Sequence, residues 1–307
     1  MSRPASPTPR TALIVAFGVI YVVWGSTYLA IRVAVQTLPP FLLAGARFVV
    51  AGAILAAWLA ATRGFRPTRR QWLDNTIVGA LLLVGGNGIV VWAEQKIPSG
   101  LASLIISVAP FFFVLFDWML PHGRRPSLAT LTGLVLGFAG LALLIGPGSL
   151  TTGRSLDLPR VAGLLIGCAC WAGGSVYSRF AHRPAEPLAA ATLQMLCGGA
   201  LLVLTGSIRG EWASFDAHAI SLHSALAWLY LVIIGSLVAF PCYVYMLKHS
   251  TPARVSTYAY VNPVVAVFLG WLVLGEAVTL HTLVASAVII TAVVIITVQR
   301  SKQSATP

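Results

Sequence analysis

Charge is what this sequence has least of. Only 9% of its 307 residues are Asp, Glu, Lys or Arg, where a soluble domain carries about a quarter. With 58% of residues hydrophobic, the chain cannot cover itself with polar surface. Lipid must be its partner, and the class is an integral membrane protein. Acidic residues are scarcer still, eight in all, and none falls near the middle of an apolar run. Proton-driven carriers usually keep an embedded carboxylate, so this scarcity argues against proton coupling. Cysteine is limited to Cys168, Cys170, Cys197 and Cys242, all inside apolar runs, which excludes a disulfide framework. The six histidines lack metal-ligand spacing, so no metal or other cofactor is expected. No phosphate-binding loop motif is present, so ATP does not drive this chain directly. A membrane enzyme would need a nucleophile and base at one depth. Ser26 and Ser175 have no such histidine, and Asp117 stands alone.

What is present is a succession of apolar runs near bilayer length, about 20 residues each. They span 11–31, 40–61, 74–93, 98–120, 127–146, 160–179, 187–208, 224–246, 253–274 and 280–299. The expectation is an all-α membrane protein with ten transmembrane helices. The first run is too long for a cleavable leader and lacks its small-residue site. The net charge of +12 follows from orientation, not from nucleic-acid binding. With both termini cytoplasmic, fourteen Lys and Arg fall in inside segments and five in outside loops, while Arg47 lies within a helix. Tails 1–10 and 300–307 are then cytoplasmic.

The chain also repeats itself. "WGSTYLAIR" (Trp24–Arg32) returns 147 residues later as "WAGGSVYSR" (Trp171–Arg179). In the same register Pro40 meets Pro187, Gly52 meets Gly199 and Arg47 meets Gln194. At a shift of 153, Pro110 meets Pro263. A duplicated unit of five helices (11–146 and 160–299) has an odd number of crossings. The second copy therefore enters the membrane with opposite orientation. Such inverted repeats surround a central cavity in secondary transporters.

Several residues are unusual at membrane depth. Arg47 is either a contact for a substrate carboxylate or half of an ion pair with Glu94. Trp24 and Trp171 lie too deep for an interfacial belt; Tyr28 shares a face with Trp24, and Ser175 shares one with Trp171. Those faces either line a cavity or pack between helices. Asn87, within "VGGNGIVVW" (Val84–Trp92), needs either a cavity or a partner helix, and Asn262 follows Tyr258 on one face. Trp92 and Tyr243 add aromatic surface. Pro110, Pro263 and Pro241 break helical hydrogen bonding and mark hinges or fixed kinks.

These features resemble the drug/metabolite transporter superfamily, in its ten-helix branch with two EamA domains. The resemblance covers about residues 11–299. It rests on "WGSTYLAIR", on "LLAGARFVVAGAIL" (Leu42–Leu55), and most specifically on "ARVSTYAYVNPVVAVFLGWLVLGEAVT" (Ala253–Thr279), which ends in Gly275-Glu276. In the first copy the place of Glu276 is taken by Gly123. The resemblance implies a bacterial inner-membrane exporter of amino acids and related metabolites, working by alternating access. A monomer is the expected unit, with a small molecule and the lipid bilayer as partners. The aromatic content of the presumed wall (Trp24, Tyr28, Trp92, Trp171, Tyr243, Tyr258) favours aromatic or small neutral amino acids. A multidrug exporter with proton antiport and a channel-like facilitator are the alternatives.

Overall fold

The structure, a computed structural model, describes residues 10–120, 126–145, 157–182, 184, 186–250, 255 and 257–305. Residues 1–9, 146–156 and 306–307 and Gly123 lie outside it, so the expectations placed on them are not addressed by it. The described residues are helical, with no strand among them.

Seven helices are long and apolar enough to cross a membrane. They are α1 (Thr11–Ala34), α2 (Pro40–Thr62), α3 (Arg69–Ala93), α4 (Ser99–Met119), α6 (Leu158–Tyr177), α7 (Pro187–Ile208) and α8 (Leu222–His249). Helices α5 (Leu128–Ile145), α9 (Tyr258–Leu274) and α10 (Leu280–Ala305) contain shorter apolar stretches. Large apolar side chains stay exposed on every side, among them Ile14, Val135, Ile166, Ile208 and Leu229. Water would not tolerate such a surface, and lipid does.

Local chemistry sets the helix ends. Pro40 and Pro187 occupy the first turn of α2 and α7, where the missing N–H costs nothing. Helix α3 starts five residues before its apolar run, at Arg69. Thr68 and Gln71 form a reciprocal capping box that sustains a charged first turn. Two glutamates from the second half of the chain hold helix starts in the first half. Glu211 Oε2 accepts from the Phe41 and Leu42 amides at 3.0 and 2.9 Å. Glu276 accepts from the Ser99 amide and hydroxyl at 2.8 and 2.9 Å, and from the Gly100 amide at 3.0 Å. Each carboxylate satisfies amides that no helical carbonyl can reach and faces the positive end of the helix dipole. Gly275 supplies the left-handed residue (φ 63°) that ends α9 and turns Glu276 toward Ser99.

Helices α2 and α7 lie in close contact. A Cβ on Gly199 would sit 2.8 Å from the Val49 amide nitrogen, and one on Gly52 would sit 3.1 Å from that of Leu196. The contact is reciprocal, because 49 and 52 become 196 and 199 under the 147-residue shift. Glycine at each crossing lets the backbones approach. Gly163 and Gly167 do the same for α6 against α3, and Gly133 and Gly140 for α5 against α10.

Three stretches are π-helical: Ile20–Trp24 in α1, Ala80–Gly88 in α3 and Leu231–Ala239 in α8. Periodicity did not foreshadow them. A wider turn shifts the facing of every residue beyond it, and such turns recur at functional sites.

Candidate functional site

All three π-helical stretches face one cavity. Trp24 contributes from the first, Leu83, Gly86 and Asn87 from the second, and Gly235 from the third. The cavity measures about 80 Å³. Thr27, Tyr28, Ile31, Arg47, Phe48, Val90, Trp171, Phe240, Tyr258 and Asn262 complete most of the wall.

Six of the expected binding residues thus meet there: Trp24, Tyr28, Asn87, Trp171, Tyr258 and Asn262. One wall is an aromatic cluster. Trp24 meets Trp171 edge to face at 5.3 Å between ring centroids, Tyr258 likewise at 5.3 Å, and Tyr243 at 4.8 Å. Tyr243 stands behind this layer, fully buried, and its hydroxyl lies 2.7 Å from Ser175 Oγ. Ser175 and Tyr243 therefore support the wall and do not line it. Ser175 also donates to the Trp171 carbonyl, a bond within its own helix.

Trp92 belongs elsewhere. It borders a second, polar space of about 420 Å³ with Gln36, Thr37, Gln95, Arg160, Arg209 and Glu211. The Arg160 guanidinium lies 4.6 Å over its ring and donates to its carbonyl oxygen. Ile31 of α1 lines the first space and Val35, the residue that caps α1, lines the second, four positions on.

The expected ion pair is not formed. Arg47 Nε donates to Ser236 Oγ at 2.7 Å, its guanidinium carbon lies 4.5 Å from the Phe48 ring centre, and Nη1 has no hydrogen-bond partner. Glu94 is fully buried with both carboxylate oxygens unpaired, and its carbonyl accepts from Arg32. The reason is axial distance. At 1.5 Å per residue Arg47 sits about 10 Å inside α2 from Pro40. Pro40 borders the polar space beside Trp92 and Gln95, so Glu94 ends α3 at the level where α2 begins.

Of the three prolines, Pro110 opens the second segment of α4 after a turn at Ser107–Val108. Pro241 lies two residues past the end of the π-helical stretch of α8, after Phe240. Pro263 lies inside α9, next to Asn262. Sequence reasoning missed Ser236, Phe48, Phe240 and Thr27. Ser236 was detectable as a lone hydroxyl within the apolar run "IIGSLVAF". The described residues contain no cluster able to hold a metal ion.

A helical bundle with a lipid-facing surface and a small cavity of aromatic and polar walls fits a membrane transporter class. The EamA-like transporter family matches residues 11–146 and again 159–298, and the chain belongs to that family. It is 37% identical over 279 residues to the uncharacterized inner membrane transporter YedA of Escherichia coli (strain K12), covering 91% of this chain and 88% of that one. It is 26% identical to the uncharacterized transporter YvbV of Bacillus subtilis (strain 168), over 97% of this chain and 95% of the relative. A solved crystal structure 24% identical to this chain superposes with a TM-score of 0.67, covering 95% of this chain and 99% of that one, a likeness of fold.

Proposed function

We propose that this chain is a secondary transporter of the bacterial inner membrane. It exports amino acids, aromatic or small neutral ones first, and related small metabolites. It works as a monomer by alternating access, without ATP. The architecture in this reading is ten transmembrane helices, arranged as two inverted five-helix repeats with both termini cytoplasmic. Pro110, Pro241 and Pro263 act as its hinges.

The observation that carries the reading is the meeting of Trp24 and Trp171 at the wall of one cavity. Corresponding residues of two repeats come into contact where a two-fold axis passes, and transporters built from inverted repeats place substrate there. The reciprocal contact of Gly52 and Gly199 supports the same axis. Aromatic rings and polar groups in one cavity wall suit an amphipathic guest.

Proton antiport is the second reading, and Glu94 favours it. A fully buried carboxylate with neither oxygen paired is the kind of group that proton-coupled carriers use. Uptake of labelled phenylalanine and alanine into protein-filled liposomes, with and without a pH gradient, tests both. Saturable uptake that ignores the gradient supports a facilitative carrier, and gradient-driven uptake supports antiport. Absence of uptake for every amino acid, with the protein folded, rejects the substrate class.

A further inference from the structure

We propose that Arg47 is the carboxylate-binding residue of the central cavity, and that the ligand is an α-amino acid held as a zwitterion. This rests on the transport reading above and specifies its ligand.

Arg47 is 3% exposed, yet it lines the cavity. An ionised side chain at membrane depth costs roughly 3 kcal/mol even on the milder scales, so it requires a compensating partner. Among the described residues none supplies charge: no Asp or Glu pairs with it, and its one hydrogen bond goes to the neutral Ser236 hydroxyl. Ser236 and the Phe48 ring hold the guanidinium in place. A Cβ at Gly235 would lie 3.1 Å from Nη2, so the absence of a side chain there leaves the fork its room. The unpaired Nη1 is a donor built into the wall with no acceptor among the described residues. A carboxylate accepts from a guanidinium through two parallel bonds, and it neutralises the charge.

A second, independent observation concerns the other end of the ligand. Asn87 Oδ1 and Asn262 Oδ1 are buried, without hydrogen-bond partners, and both residues line the same cavity. They come from α3 and α9, while Arg47 comes from α2. Buried acceptors left unpaired are costly, and an ammonium group satisfies them. One cation, two carboxamide acceptors and an aromatic wall are the complement of a carboxylate, an ammonium and an apolar side chain.

The test uses the purified full-length chain and thermal stabilisation by four related probes. These are L-phenylalanine, 3-phenylpropanoate (no ammonium), phenethylamine (no carboxylate) and L-phenylalaninamide (carboxylate neutralised). The expected result is stabilisation by the first two, with phenethylamine and the amide weaker by roughly tenfold or more in half-saturating concentration, the scale of a charge-assisted hydrogen bond. Arg47→Gln abolishes that preference, and Arg47→Lys, which keeps the charge without the fork, retains part of it. Asn87→Ala and Asn262→Ala weaken L-phenylalanine more than 3-phenylpropanoate. Equal binding of amine and carboxylate by the parent overturns the inference. So does an unchanged preference in Arg47→Gln (or in Arg47→Lys and both Asn variants, should Arg47→Gln not fold), or the same stabilisation by chloride alone. Parent protein that binds no carboxylate but transports a neutral or cationic compound overturns it and leaves the transporter reading standing.

Discussion

Trp24 and Trp171 are 147 positions apart in the chain and meet edge to face, with ring centroids 5.3 Å apart. They occupy corresponding places in the two copies of "W…R", so the repeat closes on itself at this contact. Tyr243 and Tyr258 complete the cluster around them.

The two tryptophans are therefore energetically coupled. Edge-to-face aromatic pairs contribute about 0.5–1.5 kcal/mol beyond burial. A double-mutant cycle on Trp24→Ala and Trp171→Ala, read by denaturation in one detergent, should return a coupling energy of that size and sign. Additive losses would mean that the two rings act separately.

The carboxylate of Glu276 should matter more than an exposed one. It accepts three hydrogen bonds at the start of α4. Glu276→Ala is expected to cost roughly 1.5–3 kcal/mol, and Glu276→Gln less, because a carboxamide oxygen retains part of the cap. Glu211→Ala at the start of α2 should behave alike, since two amides lose their acceptor. Melting temperatures of the purified variants check both.

Close approach of α2 and α7 makes their glycines sensitive. Gly199→Ala places a methyl 2.8 Å from the Val49 amide and should destabilise by about 1–3 kcal/mol. Gly18→Ala is the control. Its added methyl meets nothing within 4 Å, and the helix gains propensity, so stability should hold or rise. A drop for Gly18→Ala as large as for Gly199→Ala would deny that helix contact is the cause.

Glu94 separates stability from coupling. Neither oxygen is paired, so Glu94→Gln removes no hydrogen bond and should leave the melting temperature within a few degrees. If the protein exchanges protons for substrate, the same variant should lose gradient-driven uptake while retaining substrate exchange. Fluorescent pH readout inside the liposomes distinguishes the two outcomes.

Much of this arrangement was legible in the sequence. Apolar runs located the helices, because lipid demands a continuous apolar length. Trp24, Tyr28, Trp171, Tyr258, Asn87 and Asn262 stood out as costly residues at depth, and all six reach the cavity wall. Two misplacements, Trp92 and Tyr243, follow irregular turns. Sequence spacing reports depth along a helix, and it reports facing only while the turn stays regular. The π-helical stretches rotate the chain beyond them, and Trp92 lies past the one in α3, facing Arg160 and the polar space instead of the cavity. Tyr243 follows the one in α8 and stands behind the wall. Arg47 stood out as a substrate contact or a partner of Glu94, and the pairing with Glu94 is not formed, since nothing in the chain tells which helix a long side chain faces. Its actual neighbour, Ser236, lies 189 residues away.

The most direct test of the account is substrate counterflow. Liposomes containing the protein and loaded with unlabelled L-phenylalanine are diluted into labelled L-phenylalanine without any ion gradient. The account predicts a transient accumulation of label above equilibrium, lost in Trp24→Ala and Arg47→Gln. Label that only equilibrates, at the same rate with or without internal substrate, would contradict a carrier that alternates access through this cavity.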